Sequence, residues 1–301
     1  MVYGGMLFYS YYKKDFLRGV RMKKILPIVL ILAMLFFSAI DQSNSVTGIL
    51  KVHFIDVEQG DSILIQSDDE VMLIDAGTNA KADFVVDYIK KQGIRKIDYL
   101  VGTHPHEDHI GGLDSVIENF DIGTIYMPRV THTTKTFRDV LNAVKEKGLK
   151  ITSPSAGTTF DLADAKCKVI SPNSKNYSSL NDYSIVIKLS YGKNSFLFTG
   201  DGEALAENEI IEKGFDLAAD VLKVGHHGSN TSNTEEFLKK VNPSYAVISL
   251  GEDNKYGHPH KEVMDRLEKR EMTIYRTDKN GTIIAESDGE SIVFKLEKGG
   301  A

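Results

Sequence analysis

From Leu50 onward the chain reads as short apolar runs of strand length, closed by turns and separated in many places by patterns of helical period. Residues 50–57 alternate around Val52 and Phe54. Gln59-Gly60-Asp61 then turns the chain, and residues 62–66 and 71–74 form two further strands ending at Asp75-Ala76-Gly77. A helix over 83–92 is closed by Gly93. The strand 97–102 runs into a polar stretch, after which Ile110, Leu113 and Ile117 recur at helical spacing. Residues 124–127 are a strand. Residues 136–147 form an amphipathic helix with Phe137, Val140, Leu141 and Val144 on one face. Short strands occupy 150–170. The polar stretch 171–182, rich in Asn and Ser, is a loop and the best boundary between two halves.

The second half repeats the scheme. Strands at 184–189 and 196–198 lead to a helix over 204–211, a strand at 221–224, a helix over 235–240 and a strand at 245–250. After a helix ending near residue 270 come strands at 273–275, 282–285 and 291–294, with Asp288-Gly289 as a hairpin turn. Strand-rich halves with helices after most sheet segments predict an α/β (α+β) domain, two mixed sheets with helices outside.

Residues 1–45 follow a different pattern. Met22-Lys23-Lys24 precedes an apolar run over 25–40, and Ser43-Asn44-Ser45 offers a small-x-small cleavage pattern. A basic start and an apolar run of this length fit a secretory signal, with an uncleaved membrane anchor as the alternative. The expected organisation is therefore an N-terminal segment, 1–45, and one domain, 46–301, secreted or held on the outer face of the cytoplasmic membrane.

Composition narrows the chemistry. The chain has 301 residues, 42% hydrophobic and 26% charged, which is ordinary for a globular protein with a sizeable core. Its net charge of −6 gives no general attraction to nucleic acid or anionic membrane. The single cysteine, Cys167, excludes an internal disulfide and a Cys-rich zinc site.

Candidate chemistry concentrates in Thr103-His104-Pro105-His106-Glu107-Asp108-His109-Ile110-Gly111-Gly112, between a strand and a helix. Pro105 biases His104 toward an extended backbone. Residues two apart on an extended segment share a side, so His104 and His106 can bind one ion. Asp108 and His109, past the bend, can address a second. Gly111 and Gly112 let backbone approach closely. Asp201 follows an apolar strand, where a carboxylate can bridge two metals. His226-His227 also closes an apolar strand; adjacent residues on an extended chain point opposite ways, so one of the two binds metal. Gly228-Ser229 adds close backbone and a hydroxyl. His258-Pro259-His260 repeats the His-Pro-His spacing without a carboxylate, so one of that pair contacts a substrate phosphate or donates a proton, or Pro259 simply opens a helix.

The His-x-His-x-Asp-His pattern resembles the signature of the metallo-β-lactamase superfamily. Together with Leu222-Lys223-Val224-Gly225-His226-His227-Gly228-Ser229 and Tyr256-Gly257-His258-Pro259, it is similar to the lactamase-like domain of ComEC-type competence proteins. The resemblance spans about residues 50–294. It implies a four-layer αββα sandwich and two divalent ions, zinc or manganese. His104 and His106 would hold one ion and Asp108, His109 and His226 the other, with Asp201 bridging. His227 and Asp75 would support from behind, Asp75 by orienting the histidine loop. The third histidine that lactamases supply to the first ion is missing; Asn181-Asp182-Tyr183-Ser184 stands there instead. Oxygen ligands from Asn181, Asp182 or water suit harder ions such as manganese.

These residues predict a metal-dependent hydrolase acting on a phosphoester, with Asp108, Asp201 and His258 in catalytic roles. The ComEC resemblance implies a phosphodiesterase acting on DNA, with single-stranded DNA as a candidate substrate. The alternatives are a phosphocholine esterase of cell-wall polymers and, in another class, a non-catalytic surface binding module.

Overall fold

The computed structural model describes residues 46–299, and the expected signal or anchor over 25–40 lies outside them. Among the described residues no helix is long and apolar enough to cross a membrane. The first half contains β1 (Leu50–Phe54), β2 (Ile63–Ser67), β3 (Glu70–Ile74), α1 (Ala82–Lys91), β4 (Lys96–Val101), α2 (Glu107–Ile110) and α3 (Leu113–Asn119). It continues with β5 (Asp121–Tyr126), α4 (Lys135–Glu146) and β6 (Ile151–Thr152). Next come β7 (Thr159–Leu162), β8 (Ala165–Ser171), β9 (Val186–Tyr191), β10 (Asn194–Phe198), α5 (Ala204–Glu212) and β11 (Val221–Lys223). The chain closes with α6 (Glu235–Val241), β12 (Tyr245–Ile248), α7 (Lys261–Glu268), β13 (Thr273–Arg276), α8 (Thr277–Asn280), β14 (Ile283–Ser287) and β15 (Ile292–Leu296).

Two mixed sheets result, ordered β15-β14-β1-β2-β3-β4-β5-β6 and β13-β12-β11-β10-β9-β8-β7. Alternation along the strands aims one apolar set at the other sheet and the second set at helices. Val52, Phe54, Ile63, Val169, Ile187, Phe196 and Phe198 pack between the sheets. Val85 and Ile89 of α1, Val116 of α3 and Val140 of α4 cover the first sheet. Ile210 of α5, Phe237 of α6 and Leu267 of α7 cover the second. The layers are helix, sheet, sheet, helix, as the resemblance implied.

Three expectations need correction. The crossing between halves falls between β6 and β7, not at 171–182, because β8 already pairs with β9; β14 then returns to the first sheet beside β1. The helical pattern after the histidine cluster is two helices. The chain bends at Gly111, where a Cβ would lie 2.2 Å from the Asn79 backbone nitrogen, so the two segments press together at the break. On α4 the buried face is Phe137, Val140, Ala143 and Val144, while Leu141, one step of about 100° round from Val140, is exposed.

Strands β3 to β6 run parallel to one another, as do β10 to β13. Parallel strands end on the same edge, so the loops after β3, β4, β10, β11 and β12 gather at one rim, where open α/β sheets hold their sites.

His53 shows how this packing constrains pH stability. It sits on the helix side of β1, buried, with its Nδ1 2.8 Å from the Tyr88 hydroxyl of α1. Burial pushes its pKa down to about 4. In the unfolded chain it takes a proton near pH 6.5, so stability falls as pH drops below that value until the folded-state pKa is reached. At pH 5 the loss is about 2 kcal/mol. Denaturant titrations at pH 7.5 and 5 should show His53→Gln losing less between them than wild type by about that amount.

Candidate metal centre

Asp201 follows β10 and is buried, and the imidazoles of four histidines converge on its Oδ2. Their Nε2 atoms stand 3.8 Å away for His104, 3.1 Å for His109, 3.8 Å for His226 and 3.4 Å for His227. His106 joins from the rim, its Nδ1 3.0 Å from His104 Nε2. His227 Nε2 is also 3.4 Å from Asp108 Oδ2. Two groups of three potential ligands overlap here: His104, His109 and Asp201, and Asp108, His109 and His227.

The surroundings fix which nitrogen of each ring points inward. His109 Nδ1 is held at 2.8 Å by Asp75 Oδ2, and His227 Nδ1 at 2.9 Å by the Ser249 carbonyl. Both acceptors require an N–H at Nδ1, which leaves Nε2 bare toward the centre. Asp75 also accepts from the Thr103 backbone N–H at 2.8 Å and the Thr103 hydroxyl at 2.7 Å, tying the end of β3 to the start of the histidine loop.

On the premise of an extended chain only one of His226 and His227 was expected to face the metal, and the superfamily resemblance implied that it is His226, with His227 in support. The geometry differs. Both residues adopt left-handed backbone, φ 49° and 54°, in a tight turn after β11, so both rings face the same cleft. His227 is buried against Asp61, Asp108 and Asp201, while His226 is half-exposed, with Nδ1 3.0 Å from the Thr231 hydroxyl and 3.5 Å from Glu203 Oε1. Left-handed backbone at two successive histidines stores strain, which tends to persist where surrounding structure over-determines it.

Asp182 does not face the centre. Its Oδ1 accepts from the backbone N–H of Glu203 and Ala206, the entry to α5, at 3.1 and 3.3 Å. Asn181 is the member of that turn at the cleft, with Nδ2 3.4 Å from the His226 ring nitrogens. Ser184 braces from below: its hydroxyl accepts from the Asp201 backbone N–H at 3.1 Å and lies 3.4 Å from His104 Nδ1. Ser229 meets the Thr231 hydroxyl at 3.1 Å and so steadies the His226 loop. His258 packs its ring 5.6 Å from that of His226 and 6.2 Å from that of His227. Burial, then the two neighbouring imidazoles, lowers its pKa to about 4, so at neutral pH it offers a neutral ring. His260 caps α7, and its Nδ1 accepts from the Asn230 backbone N–H at 2.9 Å.

Two functional residues escaped the sequence reading. Asp61, read as part of a turn, is buried with Oδ1 3.4 Å from His227 Nδ1 and Oδ2 2.9 Å from Lys223 Nζ. Lys223 is fully buried in β11. The available signal was a lysine inside the apolar run Val221-Leu222-Lys223-Val224, which needs a buried counter-charge. Gly60 makes the contact possible: its φ is +131°, and a Cβ there would lie 2.2 Å from the Asp108 carbonyl.

The donor set fits divalent cations. Buried His109 Nε2, His227 Nε2, Asp201 Oδ1 and Asp61 Oδ1 all lack a hydrogen-bond partner. Among the described residues, Asp61, Asp75, Asp108 and Asp201 meet one permanent cation, Lys223. Burial would push the Asp201 carboxyl up, but His109 and His227 outweigh it and hold it well below the usual carboxylate range. Asp201, and for His227 also Asp108, in turn draws protons to both rings against their burial. This anionic, unsatisfied pocket calls for positive charge.

Residues 55–252 match the sequence profile of the metallo-beta-lactamase superfamily. The chain belongs to that superfamily. Within it, the chain is 32% identical over 251 residues to ComE operon protein 3 of Bacillus subtilis, covering 77% of this chain and 32% of that protein. It is 31% identical to competence protein ComA of Neisseria gonorrhoeae, over 76% of this chain and 31% of that one, and 30% identical to recombination protein 2 of Haemophilus influenzae. The chain thus spans about a third of the length of these curated relatives. Among solved structures it superposes on the metallo-beta-lactamase fold protein YhfI of Bacillus subtilis with a TM-score of 0.53 at 13% identity, covering 80% of this chain and all of that one. These matches bear out the expected family and fold, and the likeness to competence proteins. As a metallo-β-lactamase member the chain carries the fold of metal-dependent hydrolases.

Proposed function

We propose that this metallo-β-lactamase domain is a dinuclear phosphodiesterase that cleaves DNA on the outer side of the cytoplasmic membrane. The observation that carries the reading is the convergence of four imidazole Nε2 atoms on Asp201 Oδ2, with unsatisfied donors on both sides of it. His104, His106 and Asp201 would hold one ion, and Asp108, His109, His227 and Asp201 the other, with His226 at the open side. Divalent ions in such a pair lower the pKa of water and offset charge on a phosphoryl group. The chain's own contribution is preorganisation. Asp75 holds His109, Ser249 holds His227, Thr103 and Ser184 flank His104, and Asp61 backs the His227 ring. His258 and Asn181 border the cleft where a phosphoester would lie and can hydrogen-bond its oxygens. The DNA assignment rests on the likeness to competence proteins; the location rests on residues 22–45.

No histidine fills the third position beside His104 and His106. The nearby side chains are those of Ser184 and Asn181, which favour an oxygen-rich, harder-ion site. Elemental analysis of purified protein should find about two divalent ions per chain. With bis-p-nitrophenyl phosphate as substrate, manganese should raise activity more than zinc. Full activity after exhaustive chelation, or hydrolysis of p-nitrophenyl phosphocholine with no diester cleavage, would reject the assignment.

A further inference from the structure

A groove lies beside the metal centre, on its Tyr183 side. Its outer stretch, about 750 Å3, is lined by Arg129, Lys175, Asn176, Lys213 and Phe215 among others, and an adjoining stretch of about 620 Å3 shares Arg129, Ser153, Asn176 and Tyr183 with it. Tyr183 relates it to the site: Asn181, two residues before it, and Ser184, the next residue, touch His226 and His104. On the other wall Arg129 lies three residues before His132, whose ring is 6.3 Å from that of His106.

The lining is unlike the rest of the molecule. The chain carries a net charge of −6, yet no carboxylate lines either stretch, while three cations do. Arg129, Lys175 and Lys213 are exposed, and their side chains make no ion pair or hydrogen bond among the described residues. A carboxylate behind the lining residue Ser174, Glu209, is engaged by the Ser174 and Tyr177 hydroxyls. Unpaired cations spaced along a cleft, with an aromatic ring at Phe215 one face of which carries Lys168 Nζ at 5.1 Å, are the elements with which proteins track a single strand by its phosphates while bases stack. Clefts of this size are ligand-sized and admit one strand, not the body of a duplex.

We propose that this groove is a single-stranded nucleic-acid track that feeds the metal centre, with Arg129, Lys175 and Lys213 contacting successive backbone phosphates. The inference deepens the phosphodiesterase reading and rests on it. It makes the chain selective for polymers over small diesters, although its net charge is negative.

The test compares full-length wild type with an Arg129→Ala, Lys175→Ala, Lys213→Ala variant. All three positions are exposed and unpartnered, so folding should be unaffected. Cleavage of bis-p-nitrophenyl phosphate should stay within about twofold, whereas kcat/KM for a fluorescein-labelled oligothymidylate of about 15 nucleotides should fall at least about tenfold. In fluorescence anisotropy the slope of log affinity against log salt should become shallower by about 2, the change expected for three lost phosphate contacts on a single strand. Equal binding, slope and cleavage in both proteins would overturn the proposal. So would poly(glycerol phosphate) competing as well as oligothymidylate at equal phosphate, which would assign the groove to another polyanion. If wild type cleaves neither substrate, the phosphodiesterase reading fails, and the anisotropy arm still decides the groove.

Discussion

Asp201→Asn should reduce phosphodiester hydrolysis by on the order of 10^3-fold or more while leaving the fold intact. The substitution keeps shape and removes one negative charge at the point on which His104, His109, His226 and His227 converge. An amide presents a single weakly basic oxygen, so it can serve at most one ion, whereas a carboxylate can serve two. Elemental analysis should show at least one ion lost per chain. The melting temperature of the metal-free protein should fall, because Asp201 pairs with the buried His109 and His227 rings and its carboxyl is held well below the usual range by them. A variant retaining wild-type activity and metal content would show that Asp201 is not the shared ligand.

The second large effect is on stability. Lys223→Met should cost about 3–5 kcal/mol, because it strands the Asp61 carboxylate inside the protein with the cation paired to it removed. For a domain of this size that lowers the melting temperature by on the order of 10 °C. The double variant Lys223→Met, Asp61→Leu should recover most of the loss, since the buried charge and its counter-charge leave together. Activity should not recover with it. Asp61 stands 3.4 Å from His227 Nδ1 and its backbone N–H donates to the Asp108 carbonyl at 3.1 Å, so its loss loosens two candidate ligands. Thermal melts and kcat/KM on the single and double variants separate the two contributions. Coincident recovery of both would mean that the pair is structural only.

The two effects share an origin in the loop between β1 and β2. Gly60 lets the backbone turn against Asp108, which brings Asp61 under the histidines. From there Asp61 reaches across to β11 of the other sheet, so one ion pair links the sheets directly beneath the metal centre.

Much of this molecule was legible in its residues. Strand alternation and helical period are local properties, so the sheet segments, the amphipathic helices and the α/β class followed from pattern. The ligand cluster was legible because a run such as His104-Pro105-His106-Glu107-Asp108-His109 has little other chemical use. The exceptions at element level were equally local: Leu141 is next to the buried stripe of α4, and the period alone cannot say on which side of its edge a residue falls.

Tertiary structure decided what depends on where strands end relative to one another. The order of the sheets, with β14 returning to pair with β1 and β7–β8 joining the second sheet, rests on the β1–β14 pairing, whose partners lie more than two hundred residues apart. That the His226 and His227 rings face one cleft required two left-handed residues, which no alternation rule anticipates. Asp182 turned to cap α5 because two unsatisfied backbone N–H groups were within reach of its carboxylate. Lys223 and Asp61, 162 positions apart, each look anomalous or ordinary alone and acquire meaning only as a pair. Local sequence specifies conformations that a segment can satisfy with its own atoms; a buried charge, an open coordination position or a shared groove is satisfied by atoms from elsewhere in the chain, and only folding brings those together.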